Sequence, residues 1–399
     1  MQADFSVAEV VEGLYLDSSF SVLDWRSCVM ILVAFLLFYL AIKKEFEPLL
    51  LVPIAFGMML ANIPLAHLMA EPVRSIGADG LPVVEKIGGL LWYMYQGDEL
   101  SIFPPLIFMG IGAMTDFGPL ISNAKSLLIG AAAQLGVFIA FWLALFVHEF
   151  VPGIEFTSAE AAAIGIIGGA DGPVVIYLAT KLAPHMLGPL AVAAYSYMAL
   201  VPIILPPVAR ALTTHKERMI VMKQLRPVSK TTKIIFPILS TVLVSLILPE
   251  AAPLVGMLML GNLFRESGVV DRLSEVAQNA LMNMLTIFLG VSVGATASGA
   301  EFLQWGTIAI FVLGCFAFAG GAAGGVLFVK FLNLFCKEKT NPLLGLAGVS
   351  AVPMSARVAH KMGQEENPKN WLIMHAMGPN VAGVIGTSVA AAMLLTMFG

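Results

Sequence analysis

The sequence predicts an all-α polytopic membrane protein. Hydrophobic residues fill 58% of its 399 positions and charged residues only 12%, against roughly a quarter in soluble domains. Its mean hydropathy is +0.88, and several apolar runs reach the roughly 20 residues that a helix needs to cross the ~30 Å hydrocarbon core. An internal repeat with broken helices in matching positions is typical of transporter folds.

Seven apolar runs are long enough to span a bilayer. They lie near residues 26–42, 49–70, 127–149, 186–208, 232–249, 303–333 and 370–397. Shorter runs interrupted by glycine or proline are compatible with half-helices, re-entrant hairpins or full spans, and they lie at 84–96, 101–118, 160–182, 251–264, 281–298 and 342–356. We therefore expect about 10–11 transmembrane or re-entrant helices.

The longest polar stretch is basic and suggests how the chain is organised. It runs from Arg210 to Lys233 with seven Lys or Arg residues against one Glu, so the positive-inside rule places it in the cytoplasm. Residues 1–23 contain four acids and no Lys or Arg, which argues against a signal peptide. We predict an N-terminal segment, a first membrane repeat, a basic cytoplasmic linker and a second membrane repeat, at residues 1–25, 26–209, 210–232 and 233–399.

Four short blocks recur on either side of the basic linker. The matched pairs are residues 53–62 with 253–262, 107–110 with 287–290, 165–173 with 345–353, and 185–189 with 375–379. Chance recurrence of Gly, Leu and Met in an apolar chain explains one such match readily, but not four in the same order. Because an odd number of spans in each half would invert one half relative to the other, we expect inverted repeats.

The first predicted helix break is rich in glycine and contains an acid. Glycine costs about 1 kcal/mol in a helix interior and proline about 3 kcal/mol, so the helix should unwind at Gly168, Gly169 and Gly172, before Pro173. Freed carbonyls and the Asp171 carboxylate are hard oxygen ligands, which suit Na+ or a proton. An acid at bilayer depth is a functional candidate; a helix cap is the alternative role.

The matching break in the second half offers neutral oxygens. Residues 341–353 contain Asn341, Gly345, Gly348 and Ser350, followed by a proline. Asn341, Ser350 and, in the matched terminal helix, Asn380 are predicted Na+ ligands alongside Asp171. Helix capping or packing is the alternative for Ser350 and Asn380.

Two further side chains are candidates for the chemistry. Tyr197 is either a proton donor or gate, or an interfacial anchor. Arg357 follows the second break closely enough to face an anionic substrate, whereas Lys361 is best explained as a solvated positive-inside charge. The histidines and the three cysteines lack metal-ligand or CxxC spacing, and no nucleotide-binding fingerprint or basic stripe appears, so zinc, disulfides, ATP and nucleic acid are not predicted.

Three of these motifs together resemble a known family. Residues 168–173, 341–353 and 375–386 are similar to segments of the β-subunits of biotin-dependent, sodium-pumping decarboxylases. Those enzymes act on oxaloacetate, glutaconyl-CoA or methylmalonyl-CoA. The resemblance begins near Phe46 and runs to the C-terminus, so nothing of it covers residues 1–25. It implies that the chain decarboxylates carboxybiotin with proton uptake and couples this reaction to Na+ export.

The resemblance also implies partners and site residues. The cofactors would be Na+ and a biotin carried by a partner. The partners would be a carboxyltransferase α-subunit, a biotin carrier, a small γ or δ membrane subunit and further copies of the chain, in a bacterial or archaeal cytoplasmic membrane. It assigns Asp171 to Na+ or proton binding, and it matches other residues to the ion path or the decarboxylation step: Asn341, Gly345, Ser350, Tyr197, Arg357 and Asn380.

Two rival functions use the same features differently. A stand-alone secondary Na+ transporter or Na+/H+ antiporter would need the repeats and Asp171 but no biotin. A passive membrane anchor for soluble subunits would need none of the polar residues. Copurification of a biotinylated partner favours the decarboxylase, and transport by the purified chain alone favours the antiporter.

Overall fold

The structure is a computed structural model that describes residues 7–45, 47–76 and 82–399. The first elements are α1 (Val7–Leu16), α2 (Trp25–Lys43), α3 (Pro48–Ala61), β1 (Val73–Ile76), β2 (Pro82–Lys86) and α4 (Leu90–Glu99). They are followed by α5 (Phe103–Met114), α6 (Gly118–Ser122), α7 (Lys125–Ala133), α8 (Leu135–Phe150), α9 (Ser158–Gly165) and α10 (Gly172–Leu182).

The second half of the chain is also helical. Its elements are α11 (Leu187–Leu212), α12 (His215–Arg218), α13 (Lys230–Ile247), α14 (Ala252–Ser267), α15 (Asp271–Val276), α16 (Met282–Ala295), α17 (Gly299–Phe302), α18 (Trp305–Phe335), α19 (Met354–Glu366) and α20 (Ile373–Phe398). Among the described residues the antiparallel pair β1–β2 is the only sheet. The predicted all-α class is therefore confirmed.

Several of these helices are long and apolar enough to cross a membrane. Within the described ranges there are six: Trp25–Lys43, Lys125–Phe150, Lys230–Ile247, Asp271–Ala295, Trp305–Phe335 and Ile373–Phe398. Helix α11 makes a seventh if its two parts, bent by 63° between Met198 and Leu200, form one span. Shorter apolar helices lie at Pro48–Ala61, Phe103–Met114, Ser158–Gly169 and Gly172–Leu182. The multi-pass architecture is confirmed.

Three of the predicted runs have a different extent in the structure. The short run at 84–96 begins in strand β2 (Pro82–Lys86) and continues into α4 (Leu90–Glu99). The run at 49–70 is wrong as a full span, because α3 has only 14 residues and ends at Ala61. Beyond it, Leu65 and His67 have positive φ angles that turn the chain. The short run at 281–298 is the later part of the long helix Asp271–Ala295, which contains a π-helical turn at Ala277–Leu281.

The chain divides into two compact units. The smaller contains the residues up to Gly97 together with Thr286–Thr307, and the larger contains Asp98–Leu285 and Ile308–Gly399. Each unit therefore holds segments from both predicted repeats.

The two asparagines that match in the first repeat block make similar contacts. Asn62 Nδ2 donates to Ala297 O at 2.7 Å, and Asn262 Nδ2 donates to Thr115 O at 2.9 Å.

Glycines let α5 and α14 touch backbone to backbone in the larger unit. A Cβ added to Gly261 would lie 1.8 Å from Met109 O, and one added to Gly112 would lie 1.8 Å from Leu258 O. Close approach at small residues is a common way for helices to pack in membranes, where lipid provides no hydrophobic drive between them.

Gly261→Ala is expected to destabilise the protein, because its methyl group would overpack this contact at a cost of about 1–3 kcal/mol. The measurement is the thermal unfolding midpoint of the purified protein in detergent. Gly306→Ala is the matched control, since nothing lies within 4 Å of a Cβ added there. Equal midpoints for the two variants would contradict the close packing.

The first predicted break forms a hairpin. The start of its first arm and the end of its second arm lie close together. We define the first hairpin as residues 158–182, in which α9 continues as a 3-10 turn at Ile166–Gly169 and the chain returns as α10. Glu160, in the first turn of α9, pairs with His185, just beyond α10, at 2.7 Å. Because α10 has 11 residues, its length of roughly 16 Å places the tip about halfway through a ~30 Å core.

The second predicted break forms another hairpin, and its open end lies at the basic linker. We define the second hairpin as residues 341–366, a 3-10 helix at Pro342–Gly348 followed by α19. Asn341 Nδ2 donates to Arg218 O at 2.8 Å, and Arg218 Nε donates to Glu366 Oε1 at 2.6 Å. Arg218 thus holds the start and the end of the hairpin together.

Helix α20 shows that the two hairpins open toward opposite sides. It begins at Ile373, just after Asn370, whose Nδ2 donates to Arg218 O at the linker. It ends at Phe398, and a Cβ added to the next residue, Gly399, would lie 3.7 Å from Leu182 at the end of the first hairpin. Opposed hairpins are the arrangement expected of inverted halves; the repeat itself stays a prediction.

The attachment of the basic linker to α19 depends on the charge of Glu366. The hydrogen bond from the Arg218 guanidinium lowers the pKa of the Glu366 carboxyl below its ordinary value, and His215 adds a second contact. A lowered carboxyl pKa means that the pair stabilises the fold at neutral pH and is lost as the pH falls through that pKa.

Glu366→Gln is expected to make trypsin cut the linker several-fold faster at neutral pH, because a charge-assisted bond that fixes the linker is lost. The measurement is the rate of appearance of the cleaved fragments. Glu338→Gln is the control, since the Lys223–Glu338 pair is 79% and 70% exposed and such surface pairs contribute little. Equal cleavage rates in wild type and Glu366→Gln would contradict the tether.

Candidate ion site

The tips of the two hairpins are joined directly by hydrogen bonds. The Ser350 amide donates to Gly169 O at 3.2 Å, and Ser350 Oγ donates to the same oxygen at 2.5 Å. Glycine at position 169 also leaves room for Thr387 at this junction, since a Cβ there would lie 2.5 Å from Thr387 Cγ2. Gly169, which Ser350 contacts, is two residues before Asp171, so Ser350 lies at the junction of the hairpins near this acid.

Asp171 lies at the turn of the first hairpin, buried to 4% exposure. Ala170 before it is left-handed, with φ +60°, a conformation that costs a non-glycine residue of order 1–2 kcal/mol. The carboxylate accepts a bond from Val174 N at 3.4 Å and so caps α10. A carboxylate can accept about four hydrogen bonds, so this long bond leaves most of its capacity for a cation or a proton.

A cluster of neutral oxygens continues from Ser350 into α20 and the α7–α8 junction. Thr387 Oγ1 lies 3.1 Å from Ser350 Oγ, 3.1 Å from Gln134 Oε1 and 3.0 Å from Gly383 O. These side chains are all at most 6% exposed. Hydroxyl, amide and carbonyl oxygens at this spacing beside a carboxylate form a donor set suited to a hard monovalent cation.

The cluster lies near half-depth in the protein. Thr387 is 14 residues after the start of α20 and 12 before its C-terminal neighbour Gly399, and α20 spans the larger unit from the linker side to the open end of the first hairpin. A charged or polar group at this depth needs satisfied partners, because lipid offers none.

Asn380, one of the predicted ligands, lies on α20 two helical turns nearer the linker than Thr387. Its Nδ2 donates to Val349 O at 3.0 Å and Ser355 Oγ at 2.8 Å, so it braces the second hairpin next to Ser350. Its Oδ1 is buried and has no hydrogen-bond partner among the described residues. That oxygen is free to accept a further bond, and the ligand role of Asn380 stays a prediction.

Three predicted residues lie apart from this cluster. Asn341 caps the 3-10 helix of the second hairpin and donates to the linker carbonyls of Arg218 and Ile220. The Tyr197 hydroxyl donates to Phe311 O on α18. Arg357 is exposed on α19. Asn341 and Tyr197 thus make contacts within the protein, whereas the Arg357 side chain is exposed.

Sequence reasoning did not identify Gln134 and Thr387. Thr387 occupies the position that matches Tyr197 when the block at 185–189 is aligned with 375–379, so the repeat contained a signal for it. Gln134 is an isolated polar residue in the apolar run at 127–149. A polar side chain inside a span is a functional candidate by the same reasoning that selected Asp171.

Comparison with known proteins shows which family the chain resembles. The family model described as the Na+-transporting oxaloacetate decarboxylase beta subunit matches residues 26–398. The chain is 60% identical to a methylmalonyl-CoA decarboxylase subunit beta of Propionigenium modestum, with 98% of this chain and 100% of the relative covered.

Two further relatives have other substrates in their names. A glutaconyl-CoA decarboxylase subunit beta of Acidaminococcus fermentans is 55% identical, with 96% of both chains covered. An oxaloacetate decarboxylase beta chain of Klebsiella pneumoniae is 53% identical, with 92% of this chain and 94% of the relative covered. The chain belongs to the family of β-subunits of Na+-transporting decarboxylases.

Proposed function

We propose that the hairpin tips hold the Na+ that this β-subunit exports, and that Asp171 exchanges this Na+ for the proton consumed when carboxybiotin is decarboxylated. The observation that carries the proposal is the junction itself. Two hairpins opening to opposite sides meet at Gly169 and Ser350, beside a buried carboxylate. A site at such a junction is reachable from either side by small movements of one hairpin.

Exchange at one carboxylate couples the two processes. Ionised Asp171 attracts Na+, with Ser350, Thr387 and Gln134 completing its oxygen shell. Protonation removes the negative charge and with it the main attraction for Na+, because the remaining ligands are neutral. Decarboxylation of carboxybiotin breaks the bond between its ureido nitrogen and the carboxyl carbon, releases CO2 and consumes one proton. Moving one Na+ against 100 mV requires about 2.3 kcal/mol, a modest demand on that reaction.

The linker side offers a place for the carboxylated biotin to arrive. A cavity of about 480 Å3 lies there, and its lining includes one acid, Glu338, and four cations, Lys125, Lys223, Arg226 and Lys339. This excess positive charge suits an anionic carboxybiotin on a flexible arm. Arg357, exposed on α19, is the cationic side chain nearest in sequence to the second hairpin tip, and we propose that it binds the carboxylate of carboxybiotin. A guanidinium can bind a carboxylate with two hydrogen bonds.

The same proposal includes the partners and the membrane. A carboxyltransferase and a biotin carrier would approach the basic linker from the cytoplasm of a bacterium or archaeon, since positively charged loops face that side. A small γ or δ membrane subunit and further copies of this chain would complete the assembly. The acid or acyl-CoA would be chosen by the carboxyltransferase.

Avidin provides the test. The complex purified through a tag on this chain is reconstituted into vesicles with the linker side outward, and the acid substrate is added. We expect inward 22Na+ flux that stops when avidin binds the biotin. Flux driven by a pH gradient in the chain alone, insensitive to avidin, would instead support the Na+/H+ antiporter, an alternative that the relatives do not favour.

A further inference from the structure

His375 is a partly buried side chain that the ion site does not use. It lies in the first turn of α20, which begins at Ile373. Its Nδ1 is buried and has no hydrogen-bond partner among the described residues. A buried polar atom without a partner has a free-energy cost, so packing alone does not account for a histidine at this position.

The ring of His375 lines the cavity on the linker side, whose volume is about 480 Å3. That volume lies in the range of small-molecule sites. Segments that are far apart in the chain meet there: the α6–α7 junction, the basic linker, the residues just before the second hairpin and the start of α20. His375 is therefore placed where a molecule that enters the cavity can touch it.

The lining of this cavity combines cationic and apolar side chains. Besides the four cations, it includes the apolar linker residues Ile220, Val221, Met222 and Leu225. The apolar residues suit the ring and alkyl arm of a biotin, and the cations suit the carboxylate of carboxybiotin. Cations beside that carboxylate stabilise the substrate, because its negative charge is lost when CO2 leaves. A group that favours the transition state must act elsewhere on the molecule.

The buried nitrogen of His375 indicates how its ring can act. A neutral imidazole carries a proton on one ring nitrogen and leaves the other nitrogen as an acceptor. Buried N–H groups without a partner are rarer than unpaired acceptors, so we assign the proton to Nε2 and leave Nδ1 without one. Nε2 is then a hydrogen-bond donor for a molecule in the cavity.

We propose that His375 is a catalytic hydrogen-bond donor that binds the ureido oxygen of carboxybiotin in this cavity. The inference rests on the proposed function of the cavity. When CO2 leaves, the bond between the ureido nitrogen and the carboxyl carbon breaks and its electron pair stays on the ureido group. The ureido oxygen shares this negative charge until the consumed proton reaches the nitrogen. A donor at that oxygen stabilises the charge as it develops, and His375 itself neither gains nor loses a proton.

The test measures the decay of carboxybiotin on the complete complex. The biotin is loaded without Na+ from a substrate labelled with 14C in the transferred carboxyl group: methylmalonyl-CoA, glutaconyl-CoA or oxaloacetate, whichever carboxylates the wild-type complex. Na+ is then added. We expect loss of the label to be at least about tenfold slower in His375→Phe, because a hydrogen bond made in the transition state is lost. His375→Gln, whose amide nitrogen can replace Nε2 as a donor, should stay within about threefold of the wild type.

His67→Phe is the matched control. His67 is an exposed histidine in the smaller unit, so its replacement should leave the decay rate unchanged. Equilibrium binding of 22Na+ to the complex should be retained in His375→Phe, because the ion site keeps all its ligands.

Three results would overturn the inference. A decay rate in His375→Phe equal to that in His67→Phe would show that the ring does not take part in the reaction. Equal slowing in His375→Phe and His375→Gln would show that the ring acts by packing and not as a donor. Loss of 22Na+ binding in His375→Phe would place its effect at the ion site. Failure of the proposed function is recognised separately, because Na+ would then not accelerate the decay in the wild type.

Discussion

Asp171→Asn is expected to lower Na+-stimulated decarboxylation by at least about 100-fold in the reconstituted complex, because a buried carboxylate that binds a cation contributes several kcal/mol. The substitution removes the charge of the side chain and keeps its role in the fold. Asparagine caps helices about as well as aspartate, so α10 keeps its N-terminal cap. The measurement is the rate of decarboxylation as a function of Na+ concentration.

Asp271→Asn is the matched control for this experiment. Asp271 is an exposed acid in the first turn of α15, so losing its charge should leave the rate and its Na+ dependence unchanged. A normal Na+ response in Asp171→Asn would remove the carboxylate from the proposed mechanism. It would also favour the passive anchor, which tolerates substitutions of this kind together with Ser350→Ala.

Thr387→Val is expected to raise the Na+ concentration for half-maximal activity about tenfold, since losing one hydrogen-bonding oxygen from a buried site costs about 1–3 kcal/mol. The substitution keeps the branched shape of the side chain. It removes the hydroxyl that lies 3.1 Å from both Ser350 Oγ and Gln134 Oε1. The maximal rate at saturating Na+ should change much less, because Asp171 is retained.

Thr396→Val distinguishes a ligand effect from a general effect on α20. The Thr396 hydroxyl donates to Ala392 O at 2.9 Å, the same pattern as the bond from Thr387 to Gly383 O at 3.0 Å. Only Thr387 also meets Ser350 and Gln134. If both variants shift the Na+ dependence equally, Thr387 acts through the helix and not through the ion.

The helix breaks were predictable because their cause is local. Glycine and proline destabilise an α-helix, and the chain forms 3-10 helix and not α-helix at Ile166–Gly169 and again at Pro342–Gly348. The choice of Asp171 as a candidate ion ligand followed from the presence of an acid in an apolar segment. These inferences need no knowledge of which segments meet.

The features that were not predicted from the sequence depend on contacts between segments that are far apart in the chain. Gln134 and Thr387 are 253 residues apart, and nothing in either apolar run indicates that they meet Ser350. Asn341 was predicted as a Na+ ligand from its place in the break, whereas its amide is bonded to the linker. The β1–β2 hairpin and the early end of α3 were missed, because an apolar run does not reveal where the chain turns.

Equilibrium binding of 22Na+ to the purified complex, measured without substrate, tests the central claim most directly. The proposed site predicts saturable binding in the wild type and in Asp271→Asn and Thr396→Val, weaker binding in Thr387→Val, and none in Asp171→Asn. Unchanged saturable binding in Asp171→Asn would contradict the placement of Na+ at the hairpin tips.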